Sequence, residues 1–366
     1  MNKQMIIAGL KARPVRTTVS ILAVALEVVL ILIVVGLTTG ITGETARRTA
    51  GVGAEIMVQP QNSSMFLALS QNTMPIAIAD KLRELSTVKA VAPVQLQVNS
   101  SEGVEIIYGI DPKNFYEVSG GFTWIKGGLF NEANDIVVDD MWAKSRHVDV
   151  GSPLDLLNQK VKVSGIVEHG KGARIFLSME GARMITGQVD KVGVFFVKVK
   201  DPARVKEAIA QISGLLPGYK LQDVNELASQ YTSSNIPGLS AFIDAVVFVS
   251  LCIGVLVIFL SMYTTITERT REIGILRSLG ASKASIVGLI FQESTFVCLI
   301  GVMVGVGSSL MIGRLLESVF PTLIVEITVE WILKASVFAI LSGIIGSFYP
   351  SLKAAGQDPV EALAYE

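Results

Sequence analysis

Four long apolar runs constrain this chain more than any other feature: residues 17–43, 237–267, 285–313 and 335–352. A helix rising about 1.5 Å per residue needs some twenty apolar residues to cross a hydrocarbon core of about 30 Å. Each run is therefore a transmembrane candidate. Composition agrees, because only 17% of the 366 residues are charged, against about a quarter in soluble domains. Net charge is −1, which leaves no whole-chain field to attract nucleic acid. The first run is long for a cleaved leader and no clear small-x-small site follows it, which favours an uncleaved anchor.

Residues 44–236 differ in kind. GAEIMVQP, VKAVAPVQLQVN, VEIIYGI, NDIVVDD, KVKVSGIVE, ARIFLS and GVFFVKVK read as short strands bounded by Gly, Pro, Asn or Asp. Ile78, Leu82 and Leu85 share one helical phase, as do Val205, Ile209 and Ile212. Residues 225–236 read as a linker into the next run. The expected fold is an α-helical membrane protein with four transmembrane helices. A large mixed α/β extracytoplasmic domain is inserted between helices 1 and 2.

The Lys and Arg bias sets the orientation. Residues 1–16 carry Lys3, Lys11, Arg13 and Arg16 without an acid and read as an interfacial helix. The connection 268–284 holds Arg269, Arg271, Arg277 and Lys283, whereas 314–334 has only Arg314 and Lys334. By the positive-inside rule the N-terminus, the 268–284 segment and the 353–366 tail face the cytoplasm, and 314–334 is a short outer loop.

The segment Thr267–Ser285 packs six charged residues between two apolar runs. As a helix it places Ile273, Leu276 and Gly280 at i, i+3 and i+7, with Ile275 and Leu279 four apart beside them. Glu268, Arg269, Arg271, Glu272 and Arg277 take much of the remaining surface. Gly280 suits a helix stop and Ser282 a cap for the next helix. A solvated loop with one interfacial turn is the alternative.

Signatures of catalysis are missing. The chain has no G-x-x-x-x-G-K-[ST] phosphate loop and no G-x-S-x-G elbow, and its two histidines, His147 and His169, are too sparse for a metal cluster. Cys252 and Cys298 lie in apolar runs as small hydrophobes. No enzyme activity, metal or cofactor is expected in this chain.

Three acids fall in or near the spans: Glu27, Asp244 and Glu293. An acid at mid-membrane costs about 2.5–3.5 kcal/mol on insertion scales. Asp244 lies near the outer end of its run and reaches water. Glu27 and Glu293 are candidates for a transport path or gate, or for ordinary interhelix hydrogen bonds. Gly36 and Gly40, and Gly301 and Gly305, repeat at four-residue spacing, with Gly307, Gly343 and Gly346 adding to the set. Such faces suit a dimer seam or close packing within one chain.

TERTREIGILRSLGASKASIVGLIFQES and YPSLKAAGQDPVEALAYE together resemble the FtsX-like permease family, which includes the MacB and LolC/LolE types of ABC transporter. The order of one span, a large outer domain and three further spans resembles it too. The resemblance implies that 268–284 is a coupling helix docking on a separate ATP-binding subunit through Glu268, Arg269, Arg271, Glu272, Ile275, Arg277 and Lys283. It implies an elbow helix over residues 1–14 and a dimer of permease chains, identical or different. Two ATPase copies would bind the ATP and Mg, and mechanotransmission would reshape the outer domain. Unlike the MacB type, the sequence holds no fused ATPase. The expected place is the bacterial cytoplasmic (inner) membrane, in a lipid bilayer, with a periplasmic adaptor as an outer partner. The expected activity is export or extraction of a lipoprotein, peptide or hydrophobic small molecule. The alternative is a non-transporting regulator of an outer partner such as a cell-wall hydrolase, and a sensor of antimicrobial peptides ranks last.

Overall fold

The computed structural model describes residues 14–61, 63, 72–99, 105–231, 236 and 238–358. The expected interfacial helix over 1–16, apart from its last three residues, and the end of the tail, 359–366, lie outside the described residues. In chain order the elements begin with α1 (Pro14–Gly51), β1 (Ile56–Gln59), β2 (Met74–Pro75), α2 (Ile78–Arg83), β3 (Val88–Asn99) and β4 (Glu105–Ile110). Next come α3 (Pro112–Ser119), β5 (Trp124–Gly127), β6 (Asp135–Asp139), α4 (Asp140–Arg146), β7 (Pro153–Leu156) and β8 (Gln159–Val167). They are followed by β9 (Ile175–Ser178), α5 (Met179–Thr186), β10 (Lys191–Val192), β11 (Val194–Val199), α6 (Val205–Leu215), β12 (Lys220–Asp223) and α7 (Val224–Gln230). The chain continues with α8 (Leu239–Glu268), α9 (Thr270–Ser278), α10 (Lys283–Val319) and α11 (Val329–Gly356).

Contacts divide the chain into two units. One takes the chain through Gly40, Pro237–Ser318 and everything from Ile324 onward. The other takes Ile41–Ile236 with Val319–Leu323.

In the membrane unit, α1, α8, α10 and α11 are the four described helices long and apolar enough to cross a bilayer. Helix is the form an apolar run takes in lipid, because it satisfies every backbone N–H and C=O within the segment. These helices overrun the limits drawn from apolarity. α1 continues past 43 to Gly51, α10 past 313 to Val319, and α11 covers Val329–Gly356 rather than 335–352. The connection expected over 314–334 shrinks to 320–328. A membrane boundary ends the need for apolar side chains but does not end backbone hydrogen bonding, so polar turns such as Glu44–Arg48 remain helical. Val24, Val28 and Ile31 of α1, Ile258 of α8 and Ala335 and Ala339 of α11 lie in one fully buried core.

The second unit is a mixed α/β domain on a sheet of ten described strands, ordered β12-β1-β11-β3-β4-β9-β6-β8-β5 with β7 paired to β8, while β2 and β10 form a separate two-stranded sheet. The pairs β4–β9 and β6–β8 are parallel and the others antiparallel. Both faces are covered, so alternate residues of one strand enter different cores. Phe196 and Met57 join Tyr108, Phe115, Phe122 and Phe176 on one face. Phe195 and Ile56 pack on the other with α2 and α6 residues such as Leu82 and Ile212. That double burial is why Ile56, Met57 and Val58 of β1 and Val194 to Val197 of β11 carry apolar side chains on both faces. The expected linker at 225–236 begins instead as α7. Asp223 caps it by accepting from Asn225 N and Glu226 N, and Val224 and Leu227 are buried.

Candidate functional site: the charged helix between the second and third spans

α9 is a helix of nine residues with local signals at its end. Gly280 takes φ +94°, in the left-handed region that glycine enters without a Cβ penalty. Its N–H donates to Arg277 O (3.0 Å) and Ala281 N–H to Leu276 O (3.0 Å), closing a Schellman turn. Ser282 Oγ then accepts from Ser285 N (3.2 Å) and starts α10.

Burial divides α9 into two faces. Ile273 and Gly274 are buried and Leu276 is half-buried, against Met262 and Ile266 of α8 and Ile286 and Ile290 of α10, around a small cavity of about 70 Å³. On the other side Ile275 is 43% exposed and Leu279 79% exposed. Arg271, Glu272, Ser278 and Lys283 are exposed with them.

The seven residues assigned to ATPase docking do not stay together. Arg271, Glu272, Ile275 and Lys283 are exposed. Arg269 turns inward: Nη1 donates to Glu293 Oε2 of α10 (3.3 Å) and Nε to Glu272 Oε2 (3.1 Å). Arg277 Nη1 donates to the carbonyl oxygens of Ala355 (3.1 Å) and Gln357 (2.5 Å) at the end of α11. Glu268 is exposed but bonded to Arg16 of α1. A polar side chain beside a bundle finds partners on neighbouring helices as readily as outside, and sequence position alone does not tell the two apart. Arg16 is one of the participants that sequence reasoning missed, since it counted only toward the basic N-terminal stretch. Leu279 is the other, noticed only as a neighbour of Ile275.

Glu27 and Glu293 are not brought together. Glu293 pairs with Arg269 near the start of α10 rather than with the first span. Glu27 is 4% exposed, and its Oε2 accepts from Ser342 Oγ of α11 (3.0 Å). Its Oε1 has no hydrogen-bond partner, and Gly254 of α8 lies against the carboxylate. Neither Gly254 nor Ser342 carried a signal in a single sequence.

The four small-residue positions are closed by the chain itself. A Cβ on Gly301 or Gly305 would meet Val24 or Val28 of α1 at 2.6 and 2.8 Å. One on Gly36 would meet Val325 and Ile327, and one on Gly40 the backbone oxygen of Ile324 at 1.9 Å. All four thus sit at close contacts within the chain. Close approach of backbones is what the missing side chains allow.

In the outer domain the last turns of α1 carry a buried charge cluster. Arg174 joins Asp139 (3.1 Å) and Glu44 (3.8 Å), and Arg48 Nε donates to Gly172 O (3.0 Å). Burial raises the Asp139 carboxyl above its ordinary value, while Arg174 and the Trp142 backbone N–H act against the shift. Burial pushes the Tyr108 hydroxyl up to about 12.

Residues 17–215 match the family described as MacB-like periplasmic core domain, and residues 245–359 match the FtsX-like permease C-terminal family. The chain belongs to the FtsX-like permeases with a MacB-like core domain. As such it is a membrane protein of the ABC transporter permease type. The macrolide export ATP-binding/permease protein MacB of Shewanella sp. (strain W3-18-1) is 26% identical, over 80% of this chain and 49% of its own length. The MacB of Acinetobacter baylyi is 24% identical over 99% of this chain and 59% of its own length. This permease therefore spans about half to three-fifths of those two relatives. An uncharacterized ABC transporter permease of Methanocaldococcus jannaschii is 24% identical over 92% of this chain and 94% of its own. Among solved structures, the periplasmic region of MacB from Actinobacillus actinomycetemcomitans is 17% identical, with a TM-score of 0.38 over 50% of this chain and 94% of that one.

Proposed function

We propose that this chain is the membrane subunit that receives the stroke of an ABC-type ATPase on α9 and passes it to its outer domain. The observation that carries the reading is the exposed pair Ile275 and Leu279, flanked by Arg271, Glu272 and Lys283, on a nine-residue helix between two spans. An apolar pair with charges around it, on a helix pinned at both ends, suits a protein partner better than water or lipid. ATP and Mg belong to that ATPase, whose phosphate-binding loop lies outside these 366 residues. The working unit is two permease chains with two ATPases. The basic bias of 268–284 puts α9, with both termini, on the cytoplasmic side of the cytoplasmic membrane and the α/β domain outside.

The cargo is a hydrophobic small molecule, peptide or lipoprotein moved at the outer face. The macrolide export named for its relatives supports transport over regulation of an outer enzyme. The test is Ile275→Glu in the full chain. A buried, unpaired carboxylate at the centre of the contact should reduce the ATPase that co-purifies, identified by its phosphate-binding-loop sequence in mass spectrometry, at least tenfold. Undiminished ATPase on that variant would refute the docking face.

A further inference from the structure

Three arginines tie the neighbourhood of α9 to the rest of the membrane unit. Arg16 of α1 bonds Glu268 at the end of α8, and its Nη1 donates to Thr265 Oγ1 (3.2 Å). Arg269, at the break between α8 and α9, reaches Glu293 on α10. Arg277 of α9 holds the carbonyl oxygens of Ala355 and Gln357 where α11 ends, and Gln357 Nε2 donates back to Thr270 Oγ1 (3.4 Å). Each arginine engages two acceptors, which its fixed fork of donors does better than a lysine. Each tie leads to a different partner, so α1, α10 and α11 are all joined to the segment that begins at Thr265.

We propose that Arg16, Arg269 and Arg277 are positioning residues, which set the angle of α9 and spread a displacement of it over the spans without touching the ATPase. The inference rests on the reading that α9 is the docking helix. A helix of nine residues has little stability alone. Its apolar anchor, Ile273 with Leu276, fixes depth and roll in the bundle but does not resist a swing of the helix ends about that point. Arg269 and Arg277 supply that resistance, because they hold the two ends of α9 to two different spans. The Arg269–Glu293 pair is the most enclosed of these ties, with side chains 23% and 13% exposed. Removing either partner leaves a largely buried charge uncompensated.

The experiment uses the whole complex, purified through a tag on this chain and reconstituted in phospholipid nanodiscs. Two quantities are read: ATPase retained per permease, and ATP turnover per retained ATPase. Arg269→Glu should lower turnover about tenfold with retention unchanged, and Arg269→Glu/Glu293→Arg should restore turnover to within threefold. Unchanged turnover in the single variant overturns the proposal, as does failure of the swap to rescue it. Retention falling in step with turnover overturns it too, since Arg269 would then be a docking contact. Should Arg269→Glu fail to assemble, Arg277→Gln takes its place, because its acceptors are backbone carbonyls and no opposite charge is stranded. About fivefold lower turnover at full retention supports the proposal, and unchanged turnover overturns it. Ile275→Glu in parallel separates the two readings: if that variant keeps its ATPase, the docking face fails whatever the arginine variants do.

Discussion

The contact between Gly254 and Glu27 gives the sharpest test of the membrane unit. An alanine Cβ at 254 would stand 2.0 Å from Glu27 Oε2, 2.7 Å from its Cδ and 3.0 Å from Ser342 Oγ. Something must move. If the carboxylate swings away it gives up the Ser342 hydrogen bond, and such interhelical bonds are worth about 0.6 kcal/mol on average and at most about 1.7. Because Glu27 is 4% exposed, it has little room to swing. The remaining route is separation of α8 from α1 and α11, and overpacking of this kind costs about 1–3 kcal/mol. Gly254→Ala should therefore destabilise by about 1.6–4.7 kcal/mol where both costs are incurred. Gly307→Ala is the control, since nothing lies within 4 Å of its added Cβ and alanine is the better helix former by about 1 kcal/mol. The assay is reversible unfolding of the full chain in mixed micelles by increasing SDS fraction, followed by tryptophan fluorescence. The decisive step is a double-mutant cycle. With Glu27→Ala in place the obstructing carboxylate is gone, and Gly254→Ala should cost little. A Gly254→Ala as harmless as Gly307→Ala, or one equally costly in the Glu27→Ala background, would refute the three-helix contact.

Two predictions concern the outer domain. Arg174→Met strips Asp139, 1% exposed, of its ion pair, and a buried charge stranded in this way costs about 3–5 kcal/mol. Adding Asp139→Asn should recover most of the loss in near-ultraviolet thermal melts of the full chain, and no recovery would mean the pair is not the cause. The second concerns Asp140, where burial opposes the charge but hydrogen bonds from Lys144 (2.7 Å) and His169 (2.8 Å) outweigh it, holding the carboxyl below its ordinary 3.8. A lowered folded value means stability present above pH 3.8 and lost as pH falls through the folded value. The melting gap between wild type and Asp140→Asn should thus be open at pH 6 and close on acidification below 3.8. A gap that widens in acid would reverse the sign.

What the sequence revealed depended on the range of the physics involved. The Gly280 stop and the Ser282 cap are local, set by backbone preference within five residues, and both stand where local rules put them. β11 and β3 were legible because buried strands concentrate β-branched and aromatic residues, as in VFFV of β11 and VKAVAPV of β3. β5 and β7 were not, since each has only four residues, β5 mostly exposed and β7 with a single alternating pair, Leu154 and Leu156, too short to mark a strand. α3, α4 and α5 have only seven or eight residues, about two turns, too short for a 3.6-residue period to show. Their caps, Asp111, Asp139 and Ser178, were the better signal. Arg269 and Arg277 show the limit in the candidate site. Periodicity says which side of a helix is polar, but the partner of that side is settled by helices 24 and 78 residues away in sequence.

The arrangement of the spans was hidden for a related reason. In water an apolar face must point inward, so hydrophobicity reports burial, whereas in lipid every face of a span can be apolar and hydrophobicity reports nothing about neighbours. The exceptions to apolarity carry the information. α1 is the helix that the others close upon: Gly301 and Gly305 of α10 admit Val24 and Val28, Gly254 of α8 admits the Glu27 carboxylate, and Ser342 of α11 donates to it. Every one of those partners is a glycine or a serine, and each stands where a larger side chain would hold α1 away. Small residues recurring at four-residue spacing therefore mark where a backbone is approached, and only the fold says by what. At Gly301 and Gly305 the approaching element is α1, the helix that also carries Arg16, so that the tie to the end of α8 and the centre of the bundle lie on one helix.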